Sequence, residues 1–375
     1  NATYSGYDAW RVSLAGLNFG GGGAFSSAGA ELTFFSPQDA VSSTATQSAA
    51  GSQGRTSGQM ALQQLHQEVQ FAPHAALNSS TQHGNFAIIR SQRNTTALFG
   101  AGKIDAIPVA FLEQLERQQA EKKEVSGRLA RLKDGSAGRF GWKAQTATLR
   151  DFVLTACAVE LGLNVPGHAQ AGVPQKPDYV APGLDLNAAE CDALIRYVHD
   201  LPAPTQRDLS DPTDAAYVRA GQKLFDTVGC AACHVADVGE AKGIFSDLLV
   251  HDMGPELGDT GSYGVFVPDS TPEGQAAPIG DFADSQRSAE PQAGSAPLIG
   301  ATRQEWRTPP LWGVRDSAPY LHDGRARTLE QAIALHGGES AKSAQRFFAL
   351  SPAERFQVVT FLKSLVAPDQ VASAK

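Results

Sequence analysis

Cysteine and methionine are scarce in this chain, which has 4 cysteines and 2 methionines in 375 residues. Four cysteines are too few for a disulfide-stapled scaffold, so the fold must rest on apolar cores. No apolar run approaches the ~18 residues that a membrane-crossing helix needs, so no transmembrane segment is expected. Positive charge is not in excess either. Lys and Arg number 31 against 39 Asp and Glu, a net charge of −8. That balance argues against a nucleic-acid partner, because phosphate binding needs clustered bases. An initiating Met is missing, since the first residue is Asn1. This is expected of a mature chain whose export signal has been removed; a fragment boundary is the alternative. What remains is ample for globular structure. The chain is 42% hydrophobic, and its length suits two domains at ~150 residues each.

Residues 18–58 read as loop, with a glycine run at 20–23 and a Ser, Thr, Gln and Ala-rich stretch from Ser36 to Gly58. Helices are expected at Met60–Phe71, over a charged stretch at 107–134, from Thr148 to about Leu161, and from Asn187 to Leu201. Pro166, Pro174, Pro177 and Pro182 make 164–183 an extended connector. Asp211-Pro212-Thr213-Asp214 is a helix start, with an Asp N-cap and Pro at the first helical position. Ser351-Pro352-Ala353-Glu354 is a capping box that opens the last helix. Residues 255–302 look irregular and acidic, with Arg287 as the lone base. Such a loop suits a basic redox partner or Ca²⁺, or is simply solvated.

The chain repeats itself. Residues 186–206 align without a gap with 350–370, matching Leu194, Ile195, Tyr197, Val198 and Leu201 to Val358, Val359, Phe361, Leu362 and Leu365. A weaker match aligns Thr148-Leu149 with Thr328-Leu329. Two related units, 1–206 and 207–375, account for both matches; chance likeness between amphipathic helices is the alternative. The expected fold is mainly α, with two related domains, cytochrome c-like on the motif described next, and long irregular loops.

Half of the cysteine content sits in Cys230-Ala231-Ala232-Cys233-His234, the attachment pattern of haem c. Two thiols at this spacing add to the two vinyl groups on one porphyrin edge, and the following His falls under the iron. A capped helix leads into the motif and another ends the chain, as a small cytochrome requires. A thioredoxin-like pair would need a βαβ context, which is absent. A zinc site would need two further ligands, and no second CxxC exists. The compartment follows, because this haem is assembled outside the bacterial cytoplasmic membrane, in the periplasm or beyond.

Four side chains compete for the sixth iron position: His251, Met253, His322 and His336. His336 shares a helical face with Leu329, Ala332 and Ile333, which is as typical of a packed core His as of a ligand. Met253 lies in the loop His251-Asp252-Met253-Gly254-Pro255, and its rarity gives that placement weight.

The segment RTPPLWGVRDSAPYLHDGRARTLEQAIALHGGES, 307–340, resembles the C-terminal domain of the bacterial di-haem cytochrome c peroxidases. It is closer still to the di-haem thiol oxidoreductases, which RNTTALFGAGKIDAIP, GRFGWKAQTATL, YVAPGLDL and FSDLLVHDMGPELGD also resemble. The likeness runs over roughly 90–370. In the peroxidases the ninth residue of the segment that opens with Thr328 is the distal ligand, and here that residue is His336. The resemblance therefore favours His336, with Met253 as runner-up, and makes His322 second-sphere or structural. It also carries Arg307, Trp312, Tyr320, Arg325 and Arg327 past the haem, where an arginine could pair with a propionate and an aromatic could relay electrons. Ordinary packing and surface charge explain each of these equally well.

The departure from the family is that its members carry two CxxCH motifs and this chain carries one. No cysteine precedes Cys157, and the repeat sets Ala156 opposite His336. One covalent haem is therefore expected, unless a second motif lies upstream of Asn1. Cys157 and Cys191 are expected to pair as a disulfide, with separate buried thiols as the alternative. A catalytic dithiol is disfavoured, since no base flanks either thiol to lower its pKa.

Three functions compete. A six-coordinate haem held by His234 and His336 would carry electrons to a partner protein or other cytochromes, at a lower potential than a His/Met haem. A haem with an open position would act as a peroxidase or oxygenase. A structural subunit of a cytochrome assembly is the third.

Overall fold

The structure, a computed structural model, describes residues 7–13, 57–70, 79–83, 86–122, 124–170, 180–204, 206, 211–259, 261–262, 265–266 and 300–368. Most of the expected acidic loop, and the loop at 18–58 apart from its last two residues, lie outside the described residues.

The described chain is mainly α, as expected. It runs β1 (Tyr7–Ser13), α1 (Ser57–Gln70), β2 (Ser79–His83), β3 (Phe86–Arg93), α2 (Ala101–Asp105), α3 (Val109–Ala120), α4 (Leu149–Val159) and α5 (Ala188–His199). It continues with α6 (Pro212–Thr227), β4 (Val250–Asp252), β5 (Gly261–Ser262), β6 (Val265–Phe266), β7 (Glu305–Arg307), α7 (Leu329–Ala334), α8 (Ala341–Ala349) and α9 (Pro352–Ser364). The small sheets are antiparallel: β1-β3-β2, β4 with β7, and β5 with β6.

The caps fall where the sequence places them. Asp211 accepts from the Thr213 and Asp214 amides at the start of α6. Ser351 and Glu354 close a capping box on α9, and Asn187 and Glu190 close one on α5. The charged stretch at 107–134 differs from expectation, because α3 stops at Ala120. Beyond it the chain runs extended, with Arg128 bridged to Val250 and Arg131 to Ala137. Gly127 gives the reason. A Cβ there would lie 2.3 Å from His251 Cε1, so the backbone passes flat over that imidazole.

α6 and α9 cross at Gly221, where a Cβ would lie 2.0 Å from the Gln357 carbonyl oxygen. Beneath the crossing Phe225, Phe245 and Phe361 meet edge to face, Phe361 lying 5.3 Å from each of the other two. A second core gathers Ile104, Leu112, Leu129, Leu149, Val153 and Val198 with Ile244, Leu248, Leu249 and Trp312. That core takes side chains from both sides of residue 207. α1 also crosses the seam, because Leu62 and Leu65 pack into the core of the C-terminal unit.

Local geometry recurs at the offsets of the sequence repeat. Phe140 bridges Thr146, and Tyr320 bridges Ala326. Thr148 caps α4 at φ −121°, ψ 152°, and Thr328 caps α7 at φ −124°, ψ 159°. Outside those offsets, Gly100 and Gly313 each hold a left-handed turn after an aromatic residue, at φ 71° and 65°. These two glycines are packed crosswise. A Cβ at Gly100 would lie 2.5 Å from the Trp312 ring, and one at Gly313 would lie 3.2 Å from the Phe99 ring.

Candidate haem site

Gly229, left-handed at φ 96°, ends α6 and turns the chain into a single 3-10 turn, Cys230–Ala232. The His234 amide donates to the Cys230 carbonyl at 3.0 Å, so Cys230, Cys233 and His234 share one tight turn. All three line one apolar cavity. Its space, open mouth included, is about 2070 Å³. Phe225, Leu329, Ile333, Val358 and Leu362 form the apolar wall around the motif. Burial pushes the Cys230 thiol up to about 12 and raises Cys233 as well. Thiols held so far from ionisation make a poor redox pair.

α7 ends at Ala334, earlier than the helical periodicity suggests, and His336 follows it on the same cavity. The two histidines are prepared alike. His234 donates Nδ1–H to the Phe245 carbonyl at 2.8 Å, and His336 donates Nδ1–H to the Ala332 carbonyl at 2.7 Å. Burial keeps both neutral, taking His234 down to about 4 and His336 in the same direction. A neutral imidazole whose Nδ1 carries the proton keeps its lone pair on Nε2, the usual tautomer of an iron ligand. Two thiols on one turn and two such imidazoles on one apolar cavity fit haem c.

The other candidates stand differently. His251 is buried between two carboxylates, with Nε2 3.0 Å from Asp247 and Nδ1 3.0 Å from Glu339. Burial opposes its charge, but Asp247, then Cys233 and Glu339, raise its pKa well above the ordinary value, and both ring nitrogens face carboxylates. Met253 lines the cavity and accepts a hydrogen bond from Ser340 Oγ at 3.6 Å. His322 stacks on Trp306 at 3.7 Å and meets the edge of Trp142. Burial, helped by Arg93, Arg325 and Lys143, keeps it neutral.

Arg307 donates Nε–H to the Gly141 carbonyl, and burial lowers it to about 10. Trp312 and Tyr320 also line the cavity; Arg325 pairs with Asp323, and neither Arg325 nor Arg327 reaches the wall. Cys157 and Cys191 are brought into one cluster with Leu154 and Val165, but both are free thiols rather than the expected disulfide. A small apolar cluster buries them whether or not they are bonded. From the acidic stretch, Asp259 pairs with Arg93, and the Glu256 carboxylate lies 3.7 Å from His66. No cation site forms from these two carboxylates among the described residues.

Sequence reasoning missed Gln119, Trp142, Asp247 and Glu339. Trp142 occupies the place of His322 in the internal repeat, and Asp247 stands four residues before His251; both signals were legible. Gln119 and Glu339 meet the site only through tertiary contacts.

Fold and site together define a redox protein built around haem. The chain belongs to the di-haem oxidoreductases: the family described as "Di-haem oxidoreductase, putative peroxidase" matches residues 74–295 and 288–365. It is 31% identical over 165 residues to hydrazine synthase subunit gamma of Kuenenia stuttgartiensis, a match that covers 42% of this chain and 44% of that one. It is 29% identical over 158 residues to the methylamine utilization protein MauG of Methylorubrum extorquens, covering 40% of this chain and 35% of that one. The chain thus spans less than half the length of these relatives. Among solved structures, Kuenenia stuttgartiensis hydrazine synthase pressurised with xenon aligns over 87% of this chain and 98% of that one, at 20% identity and a TM-score of 0.34. A MauG-like protein associated with microbial copper homeostasis aligns over 72% of this chain and 92% of that one, at 16% identity and a TM-score of 0.35. No described helix is long and apolar enough to cross a membrane.

Proposed function

We propose that the chain is an exported c-type cytochrome that transfers electrons through one covalent, six-coordinate haem in its C-terminal unit. The observation that carries this reading is the matched pair of imidazoles, each with Nδ1–H given to a backbone carbonyl and Nε2 left for iron. In this reading Cys230 and Cys233 anchor the porphyrin, His234 is the proximal ligand and His336 the distal one, with Met253 as runner-up. When bound, the haem supplies one-electron chemistry. The protein's part would be to fix both tautomers through the Phe245 and Ala332 carbonyls and to exclude water with Phe225, Leu329 and Val358.

The division into cytochrome c-like units at 1–206 and 207–375 is supported by the bridges and caps that recur at a repeat offset. The first unit offers no cysteine before Cys157 and Ala156 where the second has His336, so it acts as scaffold. Redox proteins or other cytochromes of the same compartment are the partners, and the periplasm or the cell exterior is the place.

The family's peroxidase description supports a second reading, in which an iron position opens to peroxide or oxygen. Absorption and EPR spectra of the purified holoprotein separate the two. The carrier requires a wholly low-spin ferric haem that ignores peroxide and cyanide. A high-spin fraction that reacts with peroxide selects the peroxidase.

A further inference from the structure

The loop that carries His336 is loose by composition. Two glycines follow it, and both are pressed flat on the strand opposite. A Cβ at Gly337 would lie 2.7 Å from the Met253 carbonyl oxygen, and one at Gly338 would lie 2.1 Å from that of Asp252. Paired glycines leave the backbone many alternatives, so something else must fix this loop. The next residue, Glu339, does so. Its Oε2 accepts from His251 Nδ1 at 3.0 Å and from the Ser126 amide at 2.8 Å, and its Oε1 accepts from Ser126 Oγ at 2.7 Å.

The chain of bonds continues to the other side of the cavity. His251 Nε2 donates to Asp247 at 3.0 Å, and Gln119 donates to the same oxygen at 3.0 Å. The Asp247 amide donates to the Cys233 carbonyl at 2.9 Å. His251 Nδ1 also lies 3.5 Å from Cys233 Sγ. One buried line of hydrogen bonds thus joins the haem-attachment turn to the loop of the proposed distal ligand.

We propose that Glu339, His251 and Asp247 form a clamp that positions His336, so that its grip decides whether the sixth iron position is closed or can open. All three are positioning residues. This inference rests on His336 as the distal ligand. It joins the two functional readings, because a firm clamp gives an electron carrier and a slackened one gives an iron that exogenous ligands can reach.

The test compares holoprotein variants E339Q, S126A, H336A and N187A, the last of which weakens a helix cap in the other unit. Ferric spin state and the rate of cyanide binding are measured beside the melting temperature. For E339Q the expected result is a new high-spin fraction and cyanide binding faster by about tenfold, the factor that a hydrogen bond between charged groups is worth. S126A shifts both readouts the same way by less. N187A lowers the melting temperature and leaves the spectrum alone. A wild-type spectrum and cyanide rate in E339Q overturn the clamp, and so does an equal spectral change in N187A, because general loosening then explains it. H336A tests the underlying reading separately. If it stays wholly low-spin, His336 is not the ligand, whatever E339Q does.

Discussion

The stretches of this chain on either side of residue 207 are packed by different means. Around α4 and α5, Leu112, Leu129, Leu149, Val153 and Val198 close on Ile244, Leu248 and Leu249, and the edge of this core, with Ile104, Phe140, Phe152 and Trp312, reaches the cavity. Around α6, α7 and α9 equivalent positions instead line that cavity. Val358 and Leu362 face it, whereas their repeat partners Leu194 and Val198 pack in the filled core. The same local frame can therefore be completed by aliphatic side chains or kept open for a prosthetic group.

The largest expected contrast lies in the cysteines. Replacing Cys230 and Cys233 by Ser abolishes covalent haem, whereas replacing Cys157 and Cys191 by Ser leaves one haem per chain. Pyridine haemochrome against protein mass measures both. Two haems in the unaltered chain would dissolve the distinction between the units. Next comes Trp312→Ala. Its ring belongs to the C-terminal unit but is buried in the other unit's core, so its loss costs ~3–5 kcal/mol. Urea unfolding measures the loss. A two-step transition in the variant would mean that Trp312 couples the units, and a cost below ~1 kcal/mol would mean that they stand apart.

A smaller effect is expected with acid. Burial opposes ionisation of Glu339, but hydrogen bonds from His251 and Ser126 bring its carboxyl from 4.5 down to about 2. Because the folded value lies below the ordinary one, the stabilisation is complete above 4.5 and is lost as pH falls toward 2. Melting temperature should therefore decline over that window, and less steeply in E339Q. Identical acid limbs would remove Glu339 from the account. The smallest effect compares the repeated caps: Asn187→Ala and Ser351→Ala should each cost about 1 kcal/mol, measured by urea titration.

Local signals were legible in the sequence and distant ones were not. Asp211, Asn187, Thr328 and Ser351 cap helices as their side-chain chemistry requires, and Cys230 to His234 occupy one turn because covalent spacing requires it. The extent of α3 was misread because Gly127 answers to His251, more than a hundred residues away. The small sheets were not foreseen, since strands as short as β4 and β7 leave no periodicity to read. His251 was weighed as an iron ligand, but its two carboxylate partners come from other segments. The fold brings Cys157 and Cys191 into one apolar cluster, where the structure holds both as free cysteines.

The crosswise packing of Phe99 on Gly313 and of Trp312 on Gly100 bears on how such a chain can change over time. Each unit's aromatic fills the notch that the other unit's glycine leaves, so neither can be trimmed or exchanged without opening a void in its neighbour. Each side of the contact is thus a mould for the other, and a change at any of these four positions has to be answered by a change across the contact.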